Sequence, residues 1–110
     1  MDNKYNLNFD EAIKRAEEYV DRLKENINEI HYNHYVLEDI QETMVKSLLD
    51  KDYQNYFIYF LYFNIYIILK NNVLEHKNID VLDNFINILY RDKEELIRTV
   101  SDYIDSYNLM

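Results

Sequence analysis

In the first third of the chain, apolar residues recur at steps of three and four, as on one face of an α-helix. These positions are Phe9, Ile13, Ala16, Val20, Leu23, Ile27 and Ile30. Asn8 and Glu11 have the spacing of a capping box, so the pattern predicts a helix from about residue 9 to about residue 31. The strict alternation also matches a coiled-coil seam, so we expect this helix to pack lengthwise against another helix, either of this chain or of a second copy.

Residues 31–34 interrupt this pattern, and a second helical stripe then continues to about residue 49. Its apolar positions are Leu37, Ile40, Met44 and Leu48. Asn33 is a residue type that favours helix N-caps, so we predict a break there and a second helix after it. The alternative is one bent helix over residues 9–49, which would place His34 and Gln41 on the seam.

The most hydrophobic segment follows Asp52, which can cap a helix. Its aromatic and β-branched composition would also suit a strand. The positions of its polar groups favour a helix over about 53–70, because five of them fall within about 80° on a helical wheel. These are Asn55, Tyr59, Tyr62, Tyr66 and Lys70. We therefore expect a central, mostly buried, aromatic-rich helix with tyrosine hydroxyls at the water boundary, ended by Asn71 and Asn72.

The same segment is apolar enough to raise the question of a membrane span. The uncharged run from Tyr53 to Leu69 has 17 residues and contains Gln54, Asn55, Asn64 and five tyrosines. A span needs about twenty mainly apolar residues. We therefore predict no membrane span.

Two shorter helices are predicted after a connection over residues 71–79. Asp80 is placed to cap the first, which ends near Tyr90, and Asp92 with Glu95 has capping-box spacing at the start of the second. Their apolar positions are Leu82, Phe85, Ile86 and Leu89, then Leu96, Ile97, Val100, Tyr103, Ile104 and Tyr107. The sequence thus predicts an all-α compact bundle of four to five helices, with residues 1–110 forming a single helical domain.

Composition supports this fold class and narrows the chemistry. The chain has no Gly, Pro, Cys or Trp, which excludes disulfides, thiolate sites and glycine-rich phosphate loops and disfavours tight β-hairpins. His31, His34 and Glu38 would share one side of a continuous helix and form a weak candidate metal site, a minor alternative. We expect no enzyme, no cofactor and a cytoplasmic location, since no catalytic motif and no secretory signal is recognisable.

Charge is the most informative surface feature. The 21 acidic and 12 basic residues leave a net charge of -9. Four acids form a ridge along the first helix, and three more continue it: Glu18, Asp21, Glu25 and Glu29, then Glu38, Asp39 and Glu42. Such a surface repels nucleic-acid phosphates and attracts basic surfaces. We therefore expect a basic protein partner and no direct nucleic-acid binding.

Asn64 stands out because it interrupts the apolar side of the third helix. A buried amide can fix the register of an oligomer, so Asn64, with Tyr59, Tyr62 and Tyr66, is a candidate for oligomer or core specificity. The alternative is a core Asn bonded to a backbone group or a tyrosine hydroxyl. Two functions follow as expectations: an inhibitor or regulator of a basic toxin, nuclease or CRISPR-type effector, or a helical homo-oligomer, of which a homodimer is the simplest form.

Overall fold

The computed structural model describes residues 3–74 and 78–109, and every regular element in these two ranges is helical. The elements are α1 (Phe9–Glu25), α2 (His34–Leu49), α3 (Tyr53–Ile68) with a π-helical extension (Leu69–Leu74), α4 (Asp80–Arg91) and α5 (Lys93–Asn108). The predicted all-α bundle is confirmed, with five α-helices in the described ranges.

Helix α3 lies at the centre and packs against each of the other four helices. Phe57, Leu61, Ile65 and, in the extension, Leu69 are completely buried. Residues of this size contribute roughly 1.5–3 kcal/mol each when buried, so α3 supplies a large share of the core. The predicted central aromatic-rich helix is confirmed.

The break between the first two helices is also confirmed, but α1 is shorter than predicted. It ends at Glu25 instead of continuing to residue 31. Asn26 ends it, because the Asn26 Nδ2 donates to the Arg22 carbonyl (2.9 Å) and its N–H turns back to the Leu23 carbonyl. An Asn side chain that bonds its own backbone in this way competes with continuation of the helix.

Three of the five predicted caps are present as hydrogen bonds. The side chains of Asn8, Asn33 and Asp52 each accept from a backbone N–H in the first turn of their helix. The prediction for Asp80 is wrong by one residue, whereas Asp92 does occupy the N-cap position of α5 but without a capping hydrogen bond from its side chain. Asp80 is already the first residue of α4, and the Asp92 carboxylate accepts from the Arg91 guanidinium instead of from the first turn of α5.

The end of α3 also differs from the prediction. Asn71 and Asn72 do not terminate it, since the π-helical extension carries the chain to Leu74 and keeps Leu69 and Val73 buried. The predicted connection 71–79 is thereby shortened at its start. Residues 75–77 lie outside the described ranges.

With its extension, α3 is a 22-residue helix from Tyr53 to Leu74, and its most apolar stretch of 18 residues has a mean hydropathy of 1.3, so by length and composition it could cross a membrane. The prediction counted only the 17 uncharged residues from Tyr53 to Leu69, because Lys70 interrupts that run. Length and composition alone are weak grounds for a span, since core helices of soluble proteins meet the same criteria. In this fold, α3 contacts each of the other four helices, and 39% of that apolar stretch is buried.

Candidate interaction surface

The four acids of the first set lie on the outside of the molecule. Glu18, Asp21 and Glu25 are exposed along α1, on the side away from the buried Ala16 and Val20. Glu29 is exposed in the turn that follows α1. We call these four residues the acidic ridge. The amphipathic pattern places them there, because residues 18, 21 and 25 fall opposite the seam on a helical wheel.

The second acidic set is exposed on α2, beyond the break. Glu38 and Glu42, but not Asp39, line a shallow, wide-open depression along the outer side of this helix, and all of its lining residues belong to α2. Its other lining residues are Gln41, Val45, Lys46 and Leu49. We call this the α2 groove. The acidic ridge thus lies on α1 and the turn that follows it, whereas the second acidic set lies on α2.

None of these seven acids forms an ion pair with another described residue. The ion pairs within residues 3–74 and 78–109 are Lys4–Asp105, Lys24–Asp83, Arg91–Asp92 and Arg98–Glu95. The seven carboxylates therefore face the solvent, with no cation of the described residues in contact with them. Their field acts outward, on whatever approaches the surface.

Sequence reasoning missed the apolar side chains of the α2 groove. Val45 is 53% exposed and Leu49 is 65% exposed, so neither belongs to the core. The signal was present in the sequence: both lie off the stripe of Leu37, Ile40 and Met44, and they are four residues apart. A second apolar row at helical spacing indicates a second face of the helix.

The predicted tyrosine stripe lies within the bundle. The ring of Tyr62 packs against those of Tyr19 and Tyr59, with centroids 4.7 Å and 5.1 Å away. Burial raises the pKa of Tyr19 to about 12 and also raises the pKa of Tyr62. Tyr66 differs from the expectation of a wet hydroxyl, because it is only 4% exposed and its hydroxyl bonds to the backbone of Asn33.

Asn64 is half-buried, and its amide is used inside α3. The Asn64 Nδ2 donates to the Phe60 carbonyl one turn earlier (2.8 Å). Phe60, Phe63 and Ile67, on the same side of α3, are also only half-buried. The bond matches the second alternative for Asn64, while its role in an oligomer stays a prediction.

A second concave region lies at the end of the bundle where α1 and α3 finish. It is a cleft of about 550 Å³ lined by Ile27, Asn28, Ile30, His31, Tyr32, Lys70, Val73, Leu74 and Ile79. The Lys70 ammonium lies 4.6 Å from the centroid of the Tyr32 ring, a cation–π contact. The Lys70 side chain therefore already contacts another residue of this chain.

The weak metal candidate does not assemble. His31 precedes α2, so no helix runs through His31, His34 and Glu38, and the His34 ring packs on Tyr35 with centroids 4.1 Å apart. Within the described ranges, no three His, Asp or Glu side chains are grouped so that they could hold a metal ion.

Comparison with known proteins finds no family model, no curated protein and no solved structure that matches this chain. Arguments about function therefore rest on the chemistry of the chain's own surface. Its two most distinctive exposed features are the acidic ridge and the α2 groove.

Proposed function

We propose that this chain is a small acidic, non-catalytic binding protein that inhibits or regulates a basic protein partner. The observation that carries the proposal is the exposure of seven carboxylates that contact no cation of the described chain. An unneutralised acidic surface raises the rate of encounter with a basic surface and can compete with nucleic acid for it.

The class of partner follows from that competition. Proteins that hold nucleic acid present clusters of Lys and Arg, and an acidic helical protein can cover such a cluster. Toxins, nucleases and CRISPR-type effectors have surfaces of this kind. The roles that fit are an immunity protein, an antitoxin or a phage counter-defence protein, acting in the cytoplasm without binding nucleic acid itself.

The test compares two pairs of charge reversals in affinity capture from the native host. Glu18→Lys with Glu25→Lys alters the acidic ridge, and Glu94→Lys with Asp102→Lys alters exposed acids of α5 by the same charge. Both variants move the net charge from -9 to -5. We expect the wild type and the α5 variant to capture the same basic protein and the ridge variant to lose it, with release of the partner at high salt.

If both variants capture the partner to the same extent, the acidic ridge is not the surface that binds it. The absence of any basic protein bound in a salt-sensitive way would contradict the proposed function. Circular dichroism of each variant establishes that the helices remain folded.

A homo-oligomer is the second candidate, and the half-buried side of α3 around Asn64 favours it. Its test is Asn64→Leu, measured by light scattering. In a helical oligomer, loss of a polar residue at the interface alters the register or the number of chains. A monomeric wild type, or the same oligomeric state in both proteins, would remove this candidate.

A further inference from the structure

The outer face of α2 carries a stripe of four residues with the spacing of a helix-packing seam. Glu38, Glu42, Val45 and Leu49 follow one another at steps of four, three and four, and all four are exposed. On a helical wheel they lie within about 60° of one another, well away from the buried Ile40 and Ser47. Steps of this kind bring side chains onto one side of a helix, where a second helix can pack along them.

The stripe is divided into two chemically different halves. Glu38 and Glu42, toward the start of α2, are carboxylates, while Val45 and Leu49, toward its end, are aliphatic. At 1.5 Å per residue the stripe is roughly 16 Å long, which is about three helical turns. Lys46 at the edge of the groove is the one cation among its lining residues.

We propose that the α2 groove binds an amphipathic basic helix of the partner protein. Aliphatic side chains of that helix pack on Val45 and Leu49, and its Lys or Arg side chains lie against Glu38 and Glu42. Because all the lining residues belong to α2, the two helices would pack side by side through anchors at helical spacing. The inference rests on the proposed function, because it specifies where the basic partner is held.

A second copy of the same face is a poor occupant, for a reason of charge. A parallel pair would place Glu38 and Glu42 of one copy against the same carboxylates of the other. An antiparallel pair would place them against Val45 and Leu49, where Lys46 at the edge is the one cation available for two carboxylates. Either arrangement leaves acids without a partner at the interface, which is unfavourable, whereas a basic helix satisfies both halves.

The test uses the full chain, labelled with ¹⁵N, and a synthetic probe. The probe is a peptide of leucine and lysine about four turns long, with leucines on one face of the helix. A peptide of the same composition in shuffled order has the same charge but no apolar face. We expect the amphipathic peptide to shift amide signals of residues 38–49, and to bind about tenfold more tightly than the shuffled one.

Two matched pairs of variants separate the contributions. Leu49→Ser is compared with Ile88→Ser, since Ile88 is an aliphatic residue of α4 that is 43% exposed. The double variant Glu38→Gln and Glu42→Gln is compared with a control double variant, Glu94→Gln and Asp102→Asn. We expect Leu49→Ser to weaken peptide binding about tenfold, as expected for an anchor residue, and each control to bind as the wild type does. The double Gln variant is expected to slow association and to lose the dependence on salt.

Three results would overturn the inference. They are peptide shifts confined to the acidic ridge, equal binding of the shuffled peptide, and shifts of α2 signals that depend on protein concentration without peptide, which would assign the groove to a second copy. A negative result in the peptide experiment would not contradict the proposed function, because a basic host protein can be captured through the acidic ridge without the α2 groove. Conversely, binding at the α2 groove without any basic host partner would leave the peptide site standing and the proposed function contradicted.

Discussion

Gln54 and Asn8 exchange two hydrogen bonds across the bundle. The Asn8 N–H donates to the Gln54 Oε1 (2.7 Å), and the Gln54 Nε2 donates to the Asn8 carbonyl (3.0 Å). Asn8 is the N-cap of α1, whereas Gln54 lies in the first turn of α3. In a complete capping box, Glu11 would take the Asn8 N–H. Here the side chain of a distant residue, Gln54, accepts this hydrogen bond instead, so the start of α1 is linked to α3.

Replacing Gln54 by alanine should weaken the fold. Gln54→Ala removes both bonds, and we expect the free energy of unfolding to fall by about 1 kcal/mol, because the freed groups of Asn8 are exposed and can bind water. Urea denaturation measures the change. Gln41→Ala is the matched control, since Gln41 is exposed on α2 and makes no side-chain hydrogen bond with the described residues. Equal effects of the two substitutions would contradict the assigned role of Gln54.

Tyr66 makes an analogous contact with the cap of α2. Its hydroxyl accepts from the Asn33 N–H and donates to the Asn33 carbonyl, both at 3.0 Å. Tyr66→Phe leaves both backbone groups without this partner, and we expect a loss of about 1–3 kcal/mol in the free energy of unfolding. Tyr59→Phe is the control, because the Tyr59 hydroxyl makes no hydrogen bond within the described chain. If both substitutions cost the same, the contact with Asn33 contributes nothing specific.

Two buried serines should respond to alanine in opposite directions. The Ser47 hydroxyl donates to the Thr43 carbonyl (2.7 Å) and accepts from the Asn55 Nδ2 (2.8 Å), so it links α2 to α3. The Ser101 hydroxyl, in a residue 5% exposed, has no hydrogen-bond partner among the described residues. We expect Ser47→Ala to lower the free energy of unfolding by about 1–2 kcal/mol and Ser101→Ala to raise it by about 1 kcal/mol. Thermal melts of both variants measure the signs, and a destabilising Ser101→Ala would show that its hydroxyl is satisfied in solution.

The buried tyrosines predict a loss of stability in alkali. Burial raises the pKa of Tyr19 from 10.0 to about 12, and it also raises those of Tyr56 and Tyr62. The unfolded chain then loses these protons first, so the stabilisation is complete below about pH 10 and disappears as the pH rises toward 12. Urea denaturation across this range, with tyrosinate absorption followed in parallel, measures the effect. Tyr19→Phe should make the decline shallower, and an unchanged decline would remove Tyr19 as a cause.

Local patterns predicted the helices well, because their information lies in adjacent residues. The apolar face of α1, the break at Asn33 and the start of α3 after Asp52 all follow from spacing and capping preferences. The errors arose where distant or competing contacts determine how a helix begins or ends. Asn26 ends α1 by bonding Arg22, and the Asp92 carboxylate, at the N-cap position of α5, accepts from Arg91 instead of from the first turn of the helix. Neither competition is visible in a helical wheel.

The interaction surface was predictable only in part, for a related reason. Charge and periodicity placed the seven acids outside, and all are exposed. The aliphatic half of the α2 groove was missed because Val and Leu are residue types that are usually buried, so their identity alone does not show that Val45 and Leu49 face the solvent. Only the packing of α2 on α3 shows which of its two apolar rows remains uncovered.

The order of synthesis gives the two cap contacts a further consequence. Gln54 and Tyr66 follow the residues they hold by 46 and 33 positions. A nascent chain released from the ribosome only as far as residue 50 therefore lacks the groups that fasten the beginnings of its first two helices. Those helices reach their full stability only after α3 has emerged, so the N-terminal half of this protein depends on the middle of the chain during translation.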